Sequence, residues 1–529
     1  MVKLDIILPI GYTSSDVTDA VCSVLPISSG EISDTVILKR TLCADDKNNI
    51  HYKATVAIEA SPERESGLLK MRKKVTEYVF PAFEIPETVF GTRPVVVGAG
   101  PAGLFCALVL AEAGARPIVY ERGLDVDSRD RKVDLFRTLG ILDPECNVQY
   151  GEGGAGTYSD GKLKVGAMDK YKMKVLSTFV EYGADEEILY STGAHVGTDK
   201  LSGIVRKIRE RIEALGGEVN FGARLVGLHT KSGKITGGEV ERDGRRESFE
   251  TDRLIMATGH SARDSFELIR SVGAVLERRG FGIGLRIEHP REYINKLVYG
   301  DISSDMLGAA SYHLVTHLPT GRSVYSFCMC PGGCVVPAAS EIGGIVTNGM
   351  SEHARDGENS NAALLVSVTP DDFGSDDIFS GLDLQRRIER RAFTVAGETY
   401  SAPATSLEAF MKKENARIGE VSPTYPSVTP ISADEYLPDF ITESVRQGME
   451  DFDKWMPGYY LGSAALTGPE TRTTSPIRVL RNETTKEAAL IEGLYCAGEG
   501  AGYAGGIVSS ARDGIIIAEA IINAQKTRF

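Results

Sequence analysis

The sequence predicts an α/β fold: a Rossmann-like FAD-binding domain of the two-dinucleotide-fold type, with an inserted α+β substrate or cap domain and a small N-terminal α+β domain. Three observations support it: a complete βαβ unit at residues 94–121, a series of short strands over 219–259, and a return to the same pattern over 493–525. A βαβ unit of this kind binds a nucleotide where its helix begins. The predicted domains are residues 1–90, residues 91–273 together with 490–529, and residues 274–489.

The βαβ unit begins with a β-branched strand, and its turn has the sequence Gly-Ala-Gly-Pro-Ala-Gly. Gly98 allows the tight turn, Gly100 leaves room for a pyrophosphate, and Gly103 lets the helix pack on the strand. The helix N-terminus offers N–H groups and a positive dipole end to the phosphates. Glu121 ends the second strand and is expected to accept hydrogen bonds from an adenosine ribose. Its charge would repel a 2′-phosphate, which favours FAD or NAD over NADP.

Residues 1–90 precede this unit and have their own β-α-β-β-α pattern, with strands and turns that alternate in polarity. The predicted strands are residues 3–10, 35–40 and 51–58, and the predicted helices are residues 14–25 and 63–78. Nothing in this region forms a catalytic constellation. We expect a docking, lid or oligomerisation module, so residues 1–90 are the candidate surface for a partner or for self-association.

A second glycine-rich stretch lies at residues 150–162, and its residues 151–156 formally match G-x-G-x-x-G. The context argues against a second nucleotide unit, because residues 143–149 make a poor buried strand and Ser-Asp-Gly makes a poor helix interior. Glycines beside Ser, Thr and Asp do suit close backbone approach to a planar, polar ligand. Contact with the cofactor is therefore predicted here, with a plain loop as the alternative.

Two later segments complete the nucleotide domain. Residues 219–259 form a meander that ends in an apolar strand and Ala-Thr-Gly, an arrangement that recurs in flavoproteins and favours FAD over NAD alone. Residues 493–506 place Glu499 near the ribityl and pyrophosphate groups and aim the following helix at the ligand. Its positive end would stabilise the negative charge of a reduced flavin. Gly500 to Gly505 match the glycine pattern again, but too little chain follows for an independent NAD site.

With these parts assembled, the chain resembles the uncharacterised FAD-dependent dehydrogenases, a bacterial-type family with an N-terminal α+β domain, and more distantly the geranylgeranyl reductases. The resemblance runs from about residue 94 to the end and includes Val-Gly-Ala-Gly-Pro-Ala-Gly and Ala-Gly-Glu-Gly-Ala-Gly-Tyr-Ala-Gly-Gly. Many FAD enzymes have Gly-Asp where this chain has Gly498-Glu499. The motifs that carry the resemblance are residues 97–103, 147–157, 161–163, 259–264, 327–333, 347–350, 354–359 and 497–506.

The resemblance implies bound FAD and redox chemistry, but neither an assigned substrate nor agreed catalytic residues. The residues expected to bind the cofactor are Gly98, Gly100, Pro101, Ala102, Gly103, Glu121, Arg122, Arg129, Gly153, Gly154, Ala155, Gly156, Thr258, Gly259, Gly498, Glu499, Gly505, Gly506 and Ile507. The reactive half of FAD is expected between residues 151–162, 328–333 and 500–506.

Catalytic candidates are few, and each has a plainer alternative. His260 and Arg263 follow the Ala-Thr-Gly turn, where an imidazole could move a proton beside the cofactor; an ordinary loop hydrogen bond is the alternative. Lys162 and His313 are weaker candidates, and Cys330 could line the substrate side of the flavin or simply pack in a strand. Cys328, Cys330 and Cys334 lack a fourth ligand at a recognisable spacing, so no metal site is predicted.

Composition excludes several classes of protein. The net charge of −14 argues against nucleic-acid binding. The 8 cysteines show no paired framework, and the first residues lack a secretion signal, so a cytoplasmic location with reduced thiols is expected. No run of about 18 apolar residues predicts a membrane span.

The favoured hypothesis is an FAD-dependent oxidoreductase that transfers hydride between flavin and a small organic substrate. No second complete βαβ unit is present, so NAD(P)H is expected only as a transient reductant. The alternatives are a non-catalytic flavin-based redox sensor, with residues 1–90 as its partner-binding module, and a flavin-dependent RNA-modifying enzyme, which the acidic charge disfavours.

Overall fold

The computed structural model describes residues 1–71, 74–163, 168–302 and 304–526. Its first sheet is antiparallel, has the strand order β2-β3-β1-β4, and buries alternate residues of β1 against α1 and α2. Its elements in chain order are β1 (Val2–Leu8), α1 (Ser14–Val24), β2 (Ile32–Cys43), β3 (His51–Ala60), α2 (Pro62–Leu69) and β4 (Thr76–Glu77).

The order of these elements is the predicted one, with one correction. The helix predicted over residues 63–78 ends at Leu69, and Thr76–Glu77 instead pairs with Val2 and Lys3 at the edge of the sheet. Tertiary pairing has overridden the local helix preference there. Residues 72 and 73 of the predicted helix lie outside the described residues.

The nucleotide unit and the meander follow next. Their elements in chain order are β5 (Val95–Val97), α3 (Pro101–Glu112), β6 (Ile118–Tyr120), α4 (Val126–Leu139), α5 (Lys170–Glu181), α6 (Thr198–Ala214), β7 (Glu218–Asn220), β8 (Arg224–Lys231), β9 (Lys234–Arg242), β10 (Arg245–Glu250), β11 (Leu254–Met256) and α7 (Arg263–Ser271). Strands β8, β9 and β10 form the predicted antiparallel meander.

The middle of the chain builds a seven-stranded, mostly antiparallel sheet in the order β14-β15-β18-β13-β21-β19-β20, and helices cover it to form a second large core. Its elements and those around it are β12 (Leu276–Arg278), β13 (Phe281–Pro290), α8 (Arg291–Tyr299), α9 (Ser304–Leu307), β14 (Val315–His317), β15 (Ser323–Cys330), β16 (Cys334–Pro337), β17 (Thr347–Met350), β18 (Asn359–Val368), α10 (Ser380–Val395), β19 (Ala402–Ser406), α11 (Leu407–Lys412), β20 (Val428–Pro430), α12 (Asp439–Trp455), β21 (Ala465–Glu470) and β22 (Ile477–Val479).

The chain then returns to the nucleotide unit through β23 (Leu494–Cys496) and α13 (Ile507–Lys526). Strand β23 pairs in parallel with β11 and completes a five-stranded parallel sheet in the order β23-β11-β5-β6-β7. Helix α3 is buried from Ala102 to Ala111 and packs against α13 and α6. A helix that is apolar all round needs such cover on every side. The fold class is the predicted α/β class, whereas the exact domain boundaries stay a prediction.

Candidate functional site

Four backbone segments converge at the carboxyl ends of β5, β11 and β23, the edge where open parallel sheets bind ligands. A Cβ built on Gly154 would lie 3.0 Å from the Cα of Gly100, and a Cβ on Gly498 would lie 2.8 Å from the Cβ of Ala102. A Cβ on Gly500 would lie 2.5 Å from the carbonyl oxygen of Gly259. The structure therefore brings together the glycine segments that the sequence predicted to meet.

The first glycine turn, residues 98–103, is closely packed. Gly98 has a φ of +104°, and a Cβ there would lie 2.4 Å from the Ala257 carbonyl oxygen. A Cβ on Gly103 would lie 1.9 Å from the Gly98 carbonyl oxygen, which is the close approach of helix to strand that the sequence predicts. Gly100 is the N-cap of α3, with no side-chain cap, and Pro101 follows at the first helical position. A Cβ on Gly100 would make an ordinary contact with the Cα of Gly154, at 3.8 Å, so this position is less tightly packed than Gly98 or Gly103.

Glu121 is buried and holds the first turn together from behind. Its carboxylate accepts hydrogen bonds from the backbone N–H groups of Ala99 at 2.7 Å, of Gly123 at 2.9 Å and of Gly151 at 2.9 Å. One side chain thus joins the nucleotide turn to the second glycine-rich loop. The predicted contact between Glu121 and a ribose stays a prediction, because the bonds in the structure are all internal.

Arg129 supports the same loop from within the protein. Its guanidinium is fully buried and donates to four backbone carbonyl groups, those of Asn147, Val148, Glu152 and Gly154, at 2.6 to 3.0 Å. Burial lowers the pKa of this guanidinium. Its visible role is to shape the loop, and a direct cofactor contact stays a prediction.

Arg122 is likewise engaged inside the protein. It forms ion pairs with Asp264 and Glu145 and stacks 4.6 Å from the centre of the Tyr150 ring. Because the carboxylates flank it, its predicted contact with the cofactor also stays a prediction.

The loop of residues 151–156 lies directly against the first turn. Gly153, at a φ of +83°, donates its N–H to the Ala99 carbonyl oxygen at 2.8 Å, and Gly154 has a φ of +60°. A Cβ on Gly156 would lie 2.9 Å from the side chain of Ile507, the first residue of α13. Ala155 lies between these glycines in a short 3-10 helix. The loop therefore bridges the N-terminal ends of α3 and α13.

The last glycine turn, residues 498–506, is braced at one end and open at the other. Gly498 donates its N–H to Asp513 at 2.8 Å, and Arg481 pairs with the same carboxylate at 2.6 and 3.0 Å. Gly505 and Gly506 are exposed, and a Cβ on either would meet nothing within 4 Å. The N-terminus of α13 therefore opens onto free space, beside the half-buried Thr258 and Gly259 at the end of β11.

Glu499 lies on this last turn and forms no hydrogen bond through its carboxylate to any described residue. Burial raises the pKa of Glu499 to about 7, although its side chain keeps 26% exposure. The nearest cationic candidate is His260, whose Nε2 lies 3.9 Å from the Glu499 Oε1. Burial, followed by the charges of Arg472 and Arg263, lowers the pKa of His260 to about 3, so this imidazole is neutral near neutral pH. Glu499 is thus the group here that can hold or release a proton.

Lys162 reaches the second large sheet from the glycine-rich loop. Its ammonium donates to the Met329 carbonyl oxygen at 3.0 Å, and burial lowers its pKa while Asp160 opposes that shift. The neighbouring Cys328 is exposed within β15 and has a φ of +40°. The hydrogen bond from Lys162 to Met329 joins two of the three predicted walls of the reactive region, residues 151–162 and residues 328–333.

The remaining catalytic candidates differ in position. Cys330 is buried beneath Cys328, with its Sγ 3.2 Å from the Cys328 carbonyl oxygen, and burial raises its pKa to about 12. Arg263 is buried and pairs with Glu389 and Glu341. His313 is exposed just before β14. A catalytic role for Arg263 or His313 stays a prediction that these contacts do not support.

Sequence reasoning missed two buried ion pairs under the site. Arg286 is fully buried, forms a bidentate ion pair with Glu470, and donates to the carbonyl oxygen of Cys328 at 2.8 Å. Asp160 pairs with Arg355 in the same way. The partners are 184 and 195 residues apart in the chain, so no local spacing could have revealed them.

The residues present fit an FAD. The start of α3, where Gly100 has no side chain and caps no N–H group, suits a pyrophosphate, and the open start of α13 suits the electron-rich end of a flavin. Within the described ranges, every helix is too short or too polar to cross a bilayer, and no three His, Cys, Asp or Glu side chains are grouped to hold a metal ion. Fold and site together define a protein of the dinucleotide-binding class.

Comparison with known proteins gives the family. The family model described as "FAD-dependent protein, C-terminal domain-like" matches residues 280–473. An uncharacterized protein of Clostridium beijerinckii is 44% identical over 512 residues, which covers 95% of each chain. The chain belongs to this family of FAD-dependent proteins.

Solved structures show weaker likenesses. A flavin-dependent brominase is 12% identical with a TM-score of 0.38, covering 82% of this chain and 79% of its own. A geranylgeranyl bacteriochlorophyll reductase-like protein of Thermoplasma acidophilum is 12% identical with a TM-score of 0.36 and the same two coverages. Both likenesses are too weak to say anything further about this chain.

Proposed function

We propose that the protein is an FAD-dependent oxidoreductase that transfers hydride between flavin and a small organic substrate, with reduction of an unsaturated or carbonyl compound as the favoured direction. The observation that carries the proposal is the meeting of the two glycine turns and the loop of residues 151–156 at one edge of the parallel sheet. FAD, when bound, supplies the two-electron chemistry.

The chain's own residues have distinct tasks in this proposal. The start of α3 binds the pyrophosphate, and the start of α13 stabilises negative charge on the ring system by about 0.3 to 1 kcal/mol. Lys162 and Cys328 line the substrate side, because the Lys162 ammonium bonds to the carbonyl oxygen of Met329, the residue after the exposed Cys328. Glu499, whose pKa burial raises to about 7, holds a proton that it can exchange near neutral pH.

NAD(P)H is part of the proposal only as a transient reductant. The glycine turns at 98–103 and 498–506 both follow strands of the same parallel sheet, and the loop of residues 151–156 packs against the first of these turns. All three segments therefore belong to the proposed FAD site. A nicotinamide cofactor would therefore visit the open face of the site, react and leave. The substrate is a small molecule, and a cytoplasmic location is part of the same proposal.

The test replaces Gly100 by valine. Gly100 has ordinary extended backbone angles, and its Cβ would contact the Gly154 Cα at 3.8 Å, so Gly100→Val places methyl groups where the pyrophosphate is proposed without straining the backbone angles. Purified wild-type protein should show flavin absorbance and release FAD on denaturation, whereas Gly100→Val should bind FAD at least about tenfold more weakly.

The matched control is Gly193→Val, at an exposed glycine with nothing within 4 Å of a built Cβ. It should bind FAD like the wild type. If wild-type protein refolded with excess FAD binds none, or if both variants bind equally well, the proposed cofactor site is wrong.

A further inference from the structure

Two arginines converge on the last glycine turn. Arg279 donates from Nη1 to the carbonyl oxygen of Gly502 at 2.9 Å, and Arg478 donates from Nε to the same oxygen at 3.3 Å. Because both bonds end on one atom, the two guanidinium groups lie side by side. Gly502 itself is buried against β22, since a Cβ on it would lie 3.0 Å from the Arg478 Cα. We name Arg279 and Arg478 the arginine pair.

The arginine pair has donors to spare. A guanidinium carries five N–H groups, and each member of the pair uses one of them on Gly502. Both side chains are only half-buried. Their other nitrogens bond to no described residue, yet none of these nitrogens is buried, so they remain in contact with solvent. A ligand that arrives from solvent can therefore reach the unused N–H groups.

The carboxylates around the arginine pair do not neutralise it. Among the described residues, neither member of the pair forms an ion pair with a carboxylate. Glu277 lies opposite Arg478 in the pairing of β12 with β22, but it is exposed and makes no such contact. Asp513, which bonds to the same turn, is held by Arg481 at 2.6 and 3.0 Å.

The charges at this point favour a bound anion. Burial lowers the pKa of the Arg279 guanidinium, the charge of Arg478 lowers it further, and Glu499 opposes the shift. Like charges held this close repel each other, and an anion bound to both would offset that repulsion. Burial raises the pKa of Glu499 to about 7, so below that pH its carboxyl group is neutral and does not act as the counter-ion.

The arginine pair belongs to the turn that is proposed to face the flavin. Gly502 lies between Glu499 and the exposed Gly505, which precedes the open start of α13. The Tyr503 ring, next in the chain, is packed by arginines, with its centre 5.2 Å from Arg478 and 3.7 Å from Arg481. An anionic group on the pair would therefore be held on the same short turn as the carboxyl group that can exchange a proton.

We infer that the arginine pair binds the carboxylate of the substrate, so that the substrate is an organic acid with an unsaturated or carbonyl group. The planar fork of a guanidinium matches a carboxylate, and such charge-assisted bonds fix orientation as well as affinity. The inference rests on the proposed function, which supplies the flavin and the transfer of hydride. It assigns a substrate contact to residues outside the three predicted walls of the reactive region.

The experiment uses the FAD-loaded protein and crotonate, a small unsaturated carboxylate, as the probe. Crotonamide is its neutral counterpart. Each compound is titrated into the protein, and binding is followed by the change in the flavin absorbance spectrum. The wild type should bind crotonate at least about tenfold more tightly than crotonamide, because only the acid forms charge-assisted bonds. High salt should weaken the binding of crotonate and leave that of crotonamide unchanged.

The double variant Arg279→Gln/Arg478→Gln removes both charges and should lose about tenfold in affinity for crotonate but not for crotonamide. Arg279→Lys/Arg478→Lys keeps the charges and should bind crotonate more tightly than the glutamine variant does. The ratio of the two affinities separates a carboxylate contact from mere support of the turn, because a distorted turn would weaken both compounds. The matched control is Arg242→Gln/Arg245→Gln, at two exposed arginines that face each other across the β9–β10 hairpin. It should bind both compounds like the wild type.

The inference is overturned if crotonate does not bind at low salt, if crotonate and crotonamide bind equally, or if the glutamine variant binds crotonate as its control does. Loss of FAD from the glutamine variant alone would assign the arginines to the cofactor instead. Tighter binding of inorganic phosphate than of crotonate would assign them to a phosphate group, such as that of NADPH. Flavin that dithionite bleaches, in a protein that binds no crotonate, leaves only the carboxylate site wrong; wild-type protein that binds no flavin makes the proposed function wrong.

Discussion

The two glycine turns at the candidate site are built differently. In the first turn, Gly98 and Gly103 leave no room for a Cβ, and Glu121 fixes the backbone with three hydrogen bonds. In the last turn, Gly505 and Gly506 face open space, and the Glu499 carboxylate bonds to no described residue. The first turn is therefore fully packed and hydrogen-bonded without a ligand. The last turn instead keeps exposed glycines that a ligand can contact and a carboxylate that can bind a proton.

The largest expected effect comes from crowding the first turn. In Gly103→Ala, the added methyl would lie 1.9 Å from the Gly98 carbonyl oxygen, so helix and strand must separate. We expect a loss of about 3 kcal/mol in the free energy of unfolding, measured with urea. Gly505→Ala, with nothing within 4 Å, is the control and should change it by less than about 0.5 kcal/mol. Equal losses in both variants would remove the contrast between the turns.

A smaller effect is expected from the carboxylate behind the first turn. Glu121→Gln has one acceptor oxygen for three N–H donors and turns an amide N–H₂ toward at least one of them. Leaving a buried donor unsatisfied should cost about 2 kcal/mol. Glu499→Gln should cost almost nothing at acidic pH, because the carboxyl it replaces is already neutral there. Thermal unfolding of the two variants side by side checks this difference.

An effect of a different kind, a pH dependence of stability, is expected from Glu499. Burial raises its pKa from the ordinary 4.5 to about 7, so between these values the folded protein binds a proton that the unfolded chain has lost. Stability therefore falls as the pH rises from about 4.5 to about 7 and stays level above that. Urea unfolding over this range should show the fall in the wild type and lose it in Glu499→Gln. A fall of the same size in both proteins would assign it to other groups.

Local patterns predicted most of the fold. The β-branched run at Val95–Val97, the glycines after it and the apolar helix Pro101–Glu112 specify a βαβ unit within about 30 residues, where periodicity and turn chemistry agree. The helix predicted over residues 63–78 ends at Leu69, because Thr76–Glu77 pairs with β1 instead. The convergence of the segments after β5, β11 and β23 could be predicted because each follows a parallel strand, whereas the loop of residues 151–156 follows none.

The support of the site could not be predicted. Arg122 and Arg129 were expected to bind the cofactor, which stays a prediction; the sequence did not indicate their bonds to carboxylate and carbonyl groups of the folded chain. The pair of Arg286 and Glu470 joins β13 to β21, and only the sheet register brings these strands together. Side-chain partners chosen by long-range topology leave no periodic signal in one sequence.

The late position of β23 in the chain has a consequence for synthesis. Helix α3 is translated before the middle region of the chain, but the strand and helix that cover its side, Leu494–Cys496 and Ile507–Lys526, are translated after that region. Until then the nascent chain carries an uncovered apolar helix, a state prone to aggregation. The nucleotide-binding half of this protein therefore matures only after translation of the middle region, and chaperone demand should peak during that interval.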